Sequence, residues 1–253
     1  MLDRISGLLA RCGSQDSVLP PTQLYNEGWL LRLVLDWFDR NRDVAHEIAF
    51  LPGARWYSEA LLASRFLAER RGDPRAESYT HADGVIGHFS ISPGERGEAT
   101  VLPAARQLIV IEAKLGSGLS AGVKNSPAFD QAARNVACMA HMLALSGVSA
   151  KSVERLGFYV TAPRVQIESG MFADLVTKES VRRKVAARVE QYGGSTASWF
   201  SDTFESVLEH LDLGVIAWES ILDRMAAAGA SPDFKQFYAD CLRYNPSRSK
   251  RAA

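Results

Sequence analysis

Glu112 and Lys114 stand two residues apart inside the run Leu108-Ile109-Val110-Ile111-Glu112-Ala113-Lys114-Leu115. Its β-branched, two-sided apolar character is that of a central strand covered on both faces. A spacing of two projects both charged side chains from one face, with Ile111, Ala113 and Leu115 on the other. Burying a carboxylate and an ammonium costs several kcal/mol each unless they are paired or hold an ion. The plainer reading is a salt-bridged pair at the solvated end of the strand. Upstream, Asp83 interrupts Thr80-His81-Ala82-Asp83-Gly84-Val85-Ile86, and an intervening hairpin can bring it beside Glu112. By itself Asp83 before Gly84 also reads as a turn former. Two adjacent carboxylates repel unless a cation sits between them. Hard oxygen ligands without a Cys or His cluster specify magnesium or manganese rather than zinc.

Asp83 followed by Glu112-Ala113-Lys114 on an apolar strand, with helices before and a helix then a strand after, resembles the PD-(D/E)XK nuclease superfamily over about residues 58–160. The resemblance implies that Asp83 and Glu112 hold Mg2+ or Mn2+, that the carbonyl of Ala113 adds a ligand, and that Lys114 positions or polarises the attacking water. Ala82 stands where the name-giving proline would be. Many nucleases of this kind also carry a glutamate on the helix before the strands and a glutamine on the helix after them. Those places fall on Glu59, which shares a helical face with Leu62, Ala63 and Phe66, and on Gln131; Glu27 is the competing glutamate, one helix earlier. A cap or surface group is the ordinary alternative for each.

For substrate contact, Lys124 and Arg134 are basic residues near the proposed site, with Arg164 and the cluster Arg182-Arg183-Lys184 and Arg188 further on. A solvated helix face is the default for that cluster; facing a groove, it would neutralise phosphates without reading sequence. Two rival motifs occupy the next loop. Gly118-Leu119-Ser120-Ala121-Gly122 matches the GxSxG elbow of α/β-hydrolases, but Ser120 lies well past Leu115, whereas the elbow needs an immediate strand-to-helix turn. Gly116-Ser117-Gly118 with Gly122 imitates a dinucleotide-binding turn, with its third glycine one position late. His81 and His88 differ in alternation parity and read as rim histidines. The five tryptophans lie at helical positions among Leu and Phe and read as core.

The elements that must carry these residues follow from periodicity. A helix is expected over Leu24 to Phe38 with Thr22 as its cap, and a second from Ser58 to Arg70, where Leu62 and Phe66 repeat at i and i+4. The run through Asp83, Val85, Phe89 and Ile91 alternates, Pro93-Gly94 turns the chain, and Ala99 to Leu102 returns. A helix over Pro127 to Leu145 and a strand over Leu156 to Val160 come next. Four helices are expected after Pro163: Gly170 to Gln191, Thr196 to Leu211, Gly214 to Ala228 and Pro232 to Leu242. The expected fold is α/β: a restriction-endonuclease-like mixed sheet of four strands or slightly more, flanked by helices. Residues 1–165 form its core and 166–253 a helical extension packed on it.

Composition bounds the function. With 253 residues, 47% hydrophobic, the chain can bury a sizeable core, which excludes global disorder. The 29 Lys and Arg balance 29 Asp and Glu, so a polyanion must be met by a local patch. Cys12, Cys138 and Cys241 form no CxxC or Cys/His cluster, which excludes a zinc module and argues against a disulfide framework. The absence of a leader or a membrane-length apolar run points to the cytoplasm, with no membrane partner. The expected activity is Mg2+- or Mn2+-dependent phosphodiester hydrolysis, with DNA as substrate by resemblance. The alternatives are an inactive nuclease-fold binding module and a serine hydrolase using Ser120.

Overall fold

The computed structural model describes residues 1–68, 70, 72–92, 97–122, 126–194 and 196–246. Helix α1 (Leu2–Ala10) precedes α2 (Glu27–Arg40). Asn26 caps α2, its side chain accepting from the backbone N–H of Trp29 at 2.9 Å, so the helix begins after Asn26 and not near Thr22. Leu30, Leu31, Val34, Leu35 and Phe38 form its buried face.

The expected helix from Ser58 to Arg70 is absent. Arg55–Leu62 is instead strand β1, paired antiparallel with β2 (Thr80–Gly87) from Arg55–Gly87 to Leu62–Thr80. Leu62 and Phe66 do not share a helix face; Phe66 belongs to the connection and packs edge-on against Phe129, Tyr192 and Trp199. Trp56 and Tyr57 suit a pleated surface, and pairing along β2 overrides the local helical period.

The alternating run through Ile91 also breaks. β2 stops at Gly87, and β3 (Phe89–Ile91) with β4 (Ala99–Val101) makes a separate two-stranded sheet. Gly87 has φ +155°, and a Cβ there would lie 2.2 Å from the Gln107 carbonyl oxygen, so a side chain is excluded at the break. The expected Pro93-Gly94 turn lies outside the described residues. β5 (Gln107–Ala113) is buried at all seven positions. It is followed by α3 (Gln131–Leu145) and β6 (Arg155–Ala162).

After α4 (Arg164–Glu168), α5 (Lys178–Tyr192), α6 (Thr196–Trp199), a π-helical turn at Phe200–Phe204 and α7 (Glu205–His210), the chain returns to the sheet. β7 (Asp212–Ala217) pairs in parallel with residues 157–162 of β6, so the helix expected from Gly214 begins only at Trp218, as α8 (Trp218–Ala227). The segment expected to be wholly helical therefore contributes a strand. Gly214, Val215 and Ile216 fit a strand edge as readily as a helix, and only the open side of β6 decides between them. Helix α9 (Asp233–Tyr244) follows.

The result is an α/β fold with a mixed five-stranded sheet in the order β1-β2-β5-β6-β7, antiparallel across its first two pairings and parallel across its last two. One face packs on α3 and α5 through Val110, Phe158, Val136 and Val185. The other packs on α2, α8 and α9 through Ile109, Ile111, Leu31, Trp218 and Tyr238. All three cysteines are free. Among the described residues no helix is long and apolar enough to cross a membrane.

Candidate active site

The register of β2 against β5 brings the acidic residues together. Gly87–Leu108, Ile86–Ile109, Val85–Val110 and Gly84–Ile111 are paired, and one further step sets Asp83 opposite Glu112. Residues opposite one another share a face; here it is the face of Leu108, Val110 and Val85, which packs on α3. Asp83 Oδ2 accepts from the backbone N–H of Ala113 at 2.7 Å, which locks the carboxylate to the end of the Glu-x-Lys strand. Glu112 is 1% exposed and Lys114 9%, so both charges are buried. They are a pair: Lys114 Nζ donates to Glu112 Oε1 at 2.5 Å. The solvated salt bridge that was the plainer reading is thus replaced by a buried one.

The Asp83 carboxyl group sits near enough to Glu112 to act on its charge. Burial first, and then the charge of Asp83, push Glu112 up to about 8, while Lys114 pulls against them. The strand end is fixed from two more sides. Lys114 N–H donates to the Thr161 carbonyl at 2.8 Å, and the Lys114 carbonyl accepts from Trp218 Nε1 at 2.8 Å.

Gln131 joins this group. It is the first residue of α3, capped by Asp130, whose side chain accepts from Ala133 N–H at 3.0 Å and from Lys184 Nζ at 2.6 Å. Gln131 Nε2 donates to Glu112 Oε1, and its Oε1 accepts from Ser120 N–H at 3.1 Å. One amide thus ties the carboxylate to the loop after β5.

Glu59 is placed differently from expectation. It lies on β1, in register opposite Asp83 between the pairs Ser58–Gly84 and Ala60–Ala82, and among the described residues it alone of the non-glycines has a positive φ, +58°. Its Oε1 accepts from Arg32 Nη2 of α2 at 3.3 Å, and its side chain is half exposed. Glu27, the first residue of α2, lines a hollow of about 690 Å3 with Leu115, Gly116 and Ser117, directly after Lys114.

Of the basic residues, Arg134 donates to Ser120 Oγ at 3.4 Å, and Lys124 lies outside the described residues. Arg182 pairs with Glu205, Lys184 with Asp130, and Arg188 is buried over Phe66 and Tyr192. Arg182 and Arg183 are exposed, as on a solvated helix face, while Lys184 and Arg188 are turned inward. Ser120 is exposed and bonded to Arg134, with no histidine among its partners, and β5 ends at Ala113 while α3 starts at Gln131, so no elbow turn surrounds it. His88 is built into the scaffold: Nδ1 accepts from Arg106 and Gln107 N–H, at 3.3 and 3.1 Å, and Nε2 lies 3.1 Å from the Pro52 carbonyl.

Three site neighbours escaped the sequence reading: Asn135, Thr161 and Trp218. Asn135 Nδ2 lies 3.4 Å from Glu112 Oε2. Its position four residues after Gln131, on the same helix face, is the one signal that would have found it. Thr161 and Trp218 come from β6 and α8, whose proximity is a matter of topology.

No group of three or more His, Cys, Asp or Glu side chains gathers among the described residues; the site offers two carboxylates, a lysine and two amides. No family model, no curated protein and no solved structure matches this chain.

Proposed function

We propose that the chain is a divalent-metal-dependent nuclease that hydrolyses phosphodiester bonds, with DNA as substrate and a restriction-endonuclease-like core. The observation that carries this reading is the register that sets Asp83 opposite the buried Glu112, with Lys114 paired to the same carboxylate. The donor set fits Mg2+ or Mn2+. It consists of hard oxygens, and two neighbouring carboxyl groups, Glu112 buried and Asp83 half-buried, are an arrangement that a cation relieves of desolvation and mutual repulsion. Asp83, Glu112 and the Ala113 carbonyl would hold the ion. When bound, it supplies a Lewis acid for a phosphoryl oxygen and for water.

The other roles belong to the chain's own groups. Asp83 is held by Ala113 N–H, so its free oxygen has a fixed direction. Lys114 Nζ, beside Glu112, places a positive charge and a proton donor where negative charge develops during attack on phosphorus. Gln131, anchored to Ser120, keeps the Glu112 carboxylate from rotating. Arg134, at the loop's edge, offers charge for the phosphate backbone.

Cleavage of end-labelled DNA in Mg2+ tests the reading. EDTA should abolish it, and Lys114→Ala should lower the rate by about 10² to 10³ while metal binding survives, since one electrostatic stabiliser is lost. Cleavage that persists in EDTA, or is equal in wild type and Lys114→Ala, would reject the assignment.

A further inference from the structure

Asn135 lies one turn along α3 from Gln131 and is 0% exposed. The two amides address different oxygens of one carboxylate. Gln131 Nε2 donates to Glu112 Oε1, which also receives Lys114 Nζ at 2.5 Å; Asn135 Nδ2 lies 3.4 Å from Oε2. A carboxylate oxygen has about two lone-pair sites, so Oε1 is filled by its two donors, while the side-chain N–H donor that reaches Oε2 among the described residues is the Asn135 amide. Asn135 Oδ1, meanwhile, is buried with no hydrogen-bond donor among the described residues. Its neighbours on the helix are Ala132, Val136 and Met139, all buried, so a leucine would suit that surface and remove the unsatisfied Oδ1, but would take from Glu112 Oε2 its amide donor. An asparagine in that setting needs a reason, and among the described residues its contact with Glu112 is the one side-chain hydrogen bond it makes.

We propose that Asn135 is a positioning residue for divalent-metal binding: it aims Glu112 so that Oε2 meets the cation, while Lys114 and Gln131 hold Oε1. This inference rests on the nuclease reading. Groups that orient a metal-binding side chain typically contribute about 10- to 100-fold to affinity, so the effect belongs in the binding constant of the metal itself.

The test is Mn2+ binding to the full chain without substrate, followed by calorimetry and by the electron paramagnetic resonance of the bound ion. Asn135→Leu should weaken Mn2+ binding by about tenfold or more with the heat stability of the metal-free protein little changed, because removal of the unsatisfied Oδ1 offsets the lost long contact to Oε2. Asn135→Ser, which keeps one donor, should fall between. A merely structural asparagine predicts the reverse: lower thermal stability with affinity unchanged. Affinity of Asn135→Leu within twofold of wild type overturns the proposal. If that variant does not fold, Asn135→Ser decides, with equal affinity overturning it and a measurable loss supporting it. A wild-type chain that binds no Mn2+ overturns the nuclease reading and this inference together; binding that is strong and alike in all three proteins overturns this inference alone.

Discussion

Glu112 carries its proton to higher pH than a free glutamate does, and this ties the candidate site to the stability of the chain. Its ordinary value of 4.5 rises to about 8 through burial and through Asp83. Between those two values the folded protein binds more protons at this group than the unfolded one, so by linkage stability falls as pH rises through that window. On the proposed reading a divalent cation bound there would take over the proton's role, and its stabilising effect should grow over the same range. The thermal midpoint of the metal-free protein should decline from pH 5 to pH 8, and added Mg2+ should raise the midpoint more at pH 8 than at pH 6. Glu112→Gln should flatten both trends; a variant with the wild-type pH dependence would show that another group is responsible. At this scale the sequence was informative because charges on an apolar strand are costly and therefore conspicuous. Asn135 was not conspicuous, since a polar residue on a helix becomes notable only once its burial is known.

At the scale of elements, β1 shows where local pattern stops being sufficient. Ser58, Leu62 and Phe66 satisfy a helical template, yet Arg55–Leu62 forms an edge strand because β2 offers it eight residues of backbone to pair with. The same competition converted residues 214–217, expected as the start of a helix, to the end of β7 along β6. β5 and the body of α3 were legible because length and burial agreed with their tertiary setting, although α3 begins after its Asp130 cap at Gln131 and not at Pro127. β1 also holds Glu59 at a left-handed φ of +58°, which costs a non-glycine residue about 1 to 2 kcal/mol. Its ion pair with Arg32 is half exposed and offsets little of that. Glu59→Gly should accordingly be at least as stable as wild type in denaturant unfolding. Ala60→Gly, one residue on and fully buried, should lose about 1 kcal/mol. A large loss for Glu59→Gly would mean that its side chain, not its backbone, governs the turn of the strand.

At the scale of the whole molecule, residues far apart in sequence converge on the end of β5. Trp218, from the element that follows β7, donates to the carbonyl of Lys114, and Thr161 of β6 accepts from its N–H. The C-terminal third is thereby joined to the strand that carries Glu112 and Lys114. Trp218→Phe keeps most of the packing and leaves the Lys114 carbonyl without that donor, so stability should fall by about 1 to 3 kcal/mol. The urea midpoint should drop with the slope unchanged, and cleavage should fall with it; an unchanged midpoint would show that the contact is dispensable. These long-range ties were not legible in the sequence, because pairing of β7 with β6 is decided by the sheet and not by residues 212–217.

The central claim is that Asp83 and Glu112 share one divalent cation, and anomalous diffraction from a crystal soaked in Mn2+ tests it most directly. The predicted result is an anomalous peak between the two carboxylates, at about 2.0 to 2.2 Å from their oxygens, absent from Glu112→Gln. Manganese bound elsewhere on the chain, with no density between Asp83 and Glu112, would contradict the account.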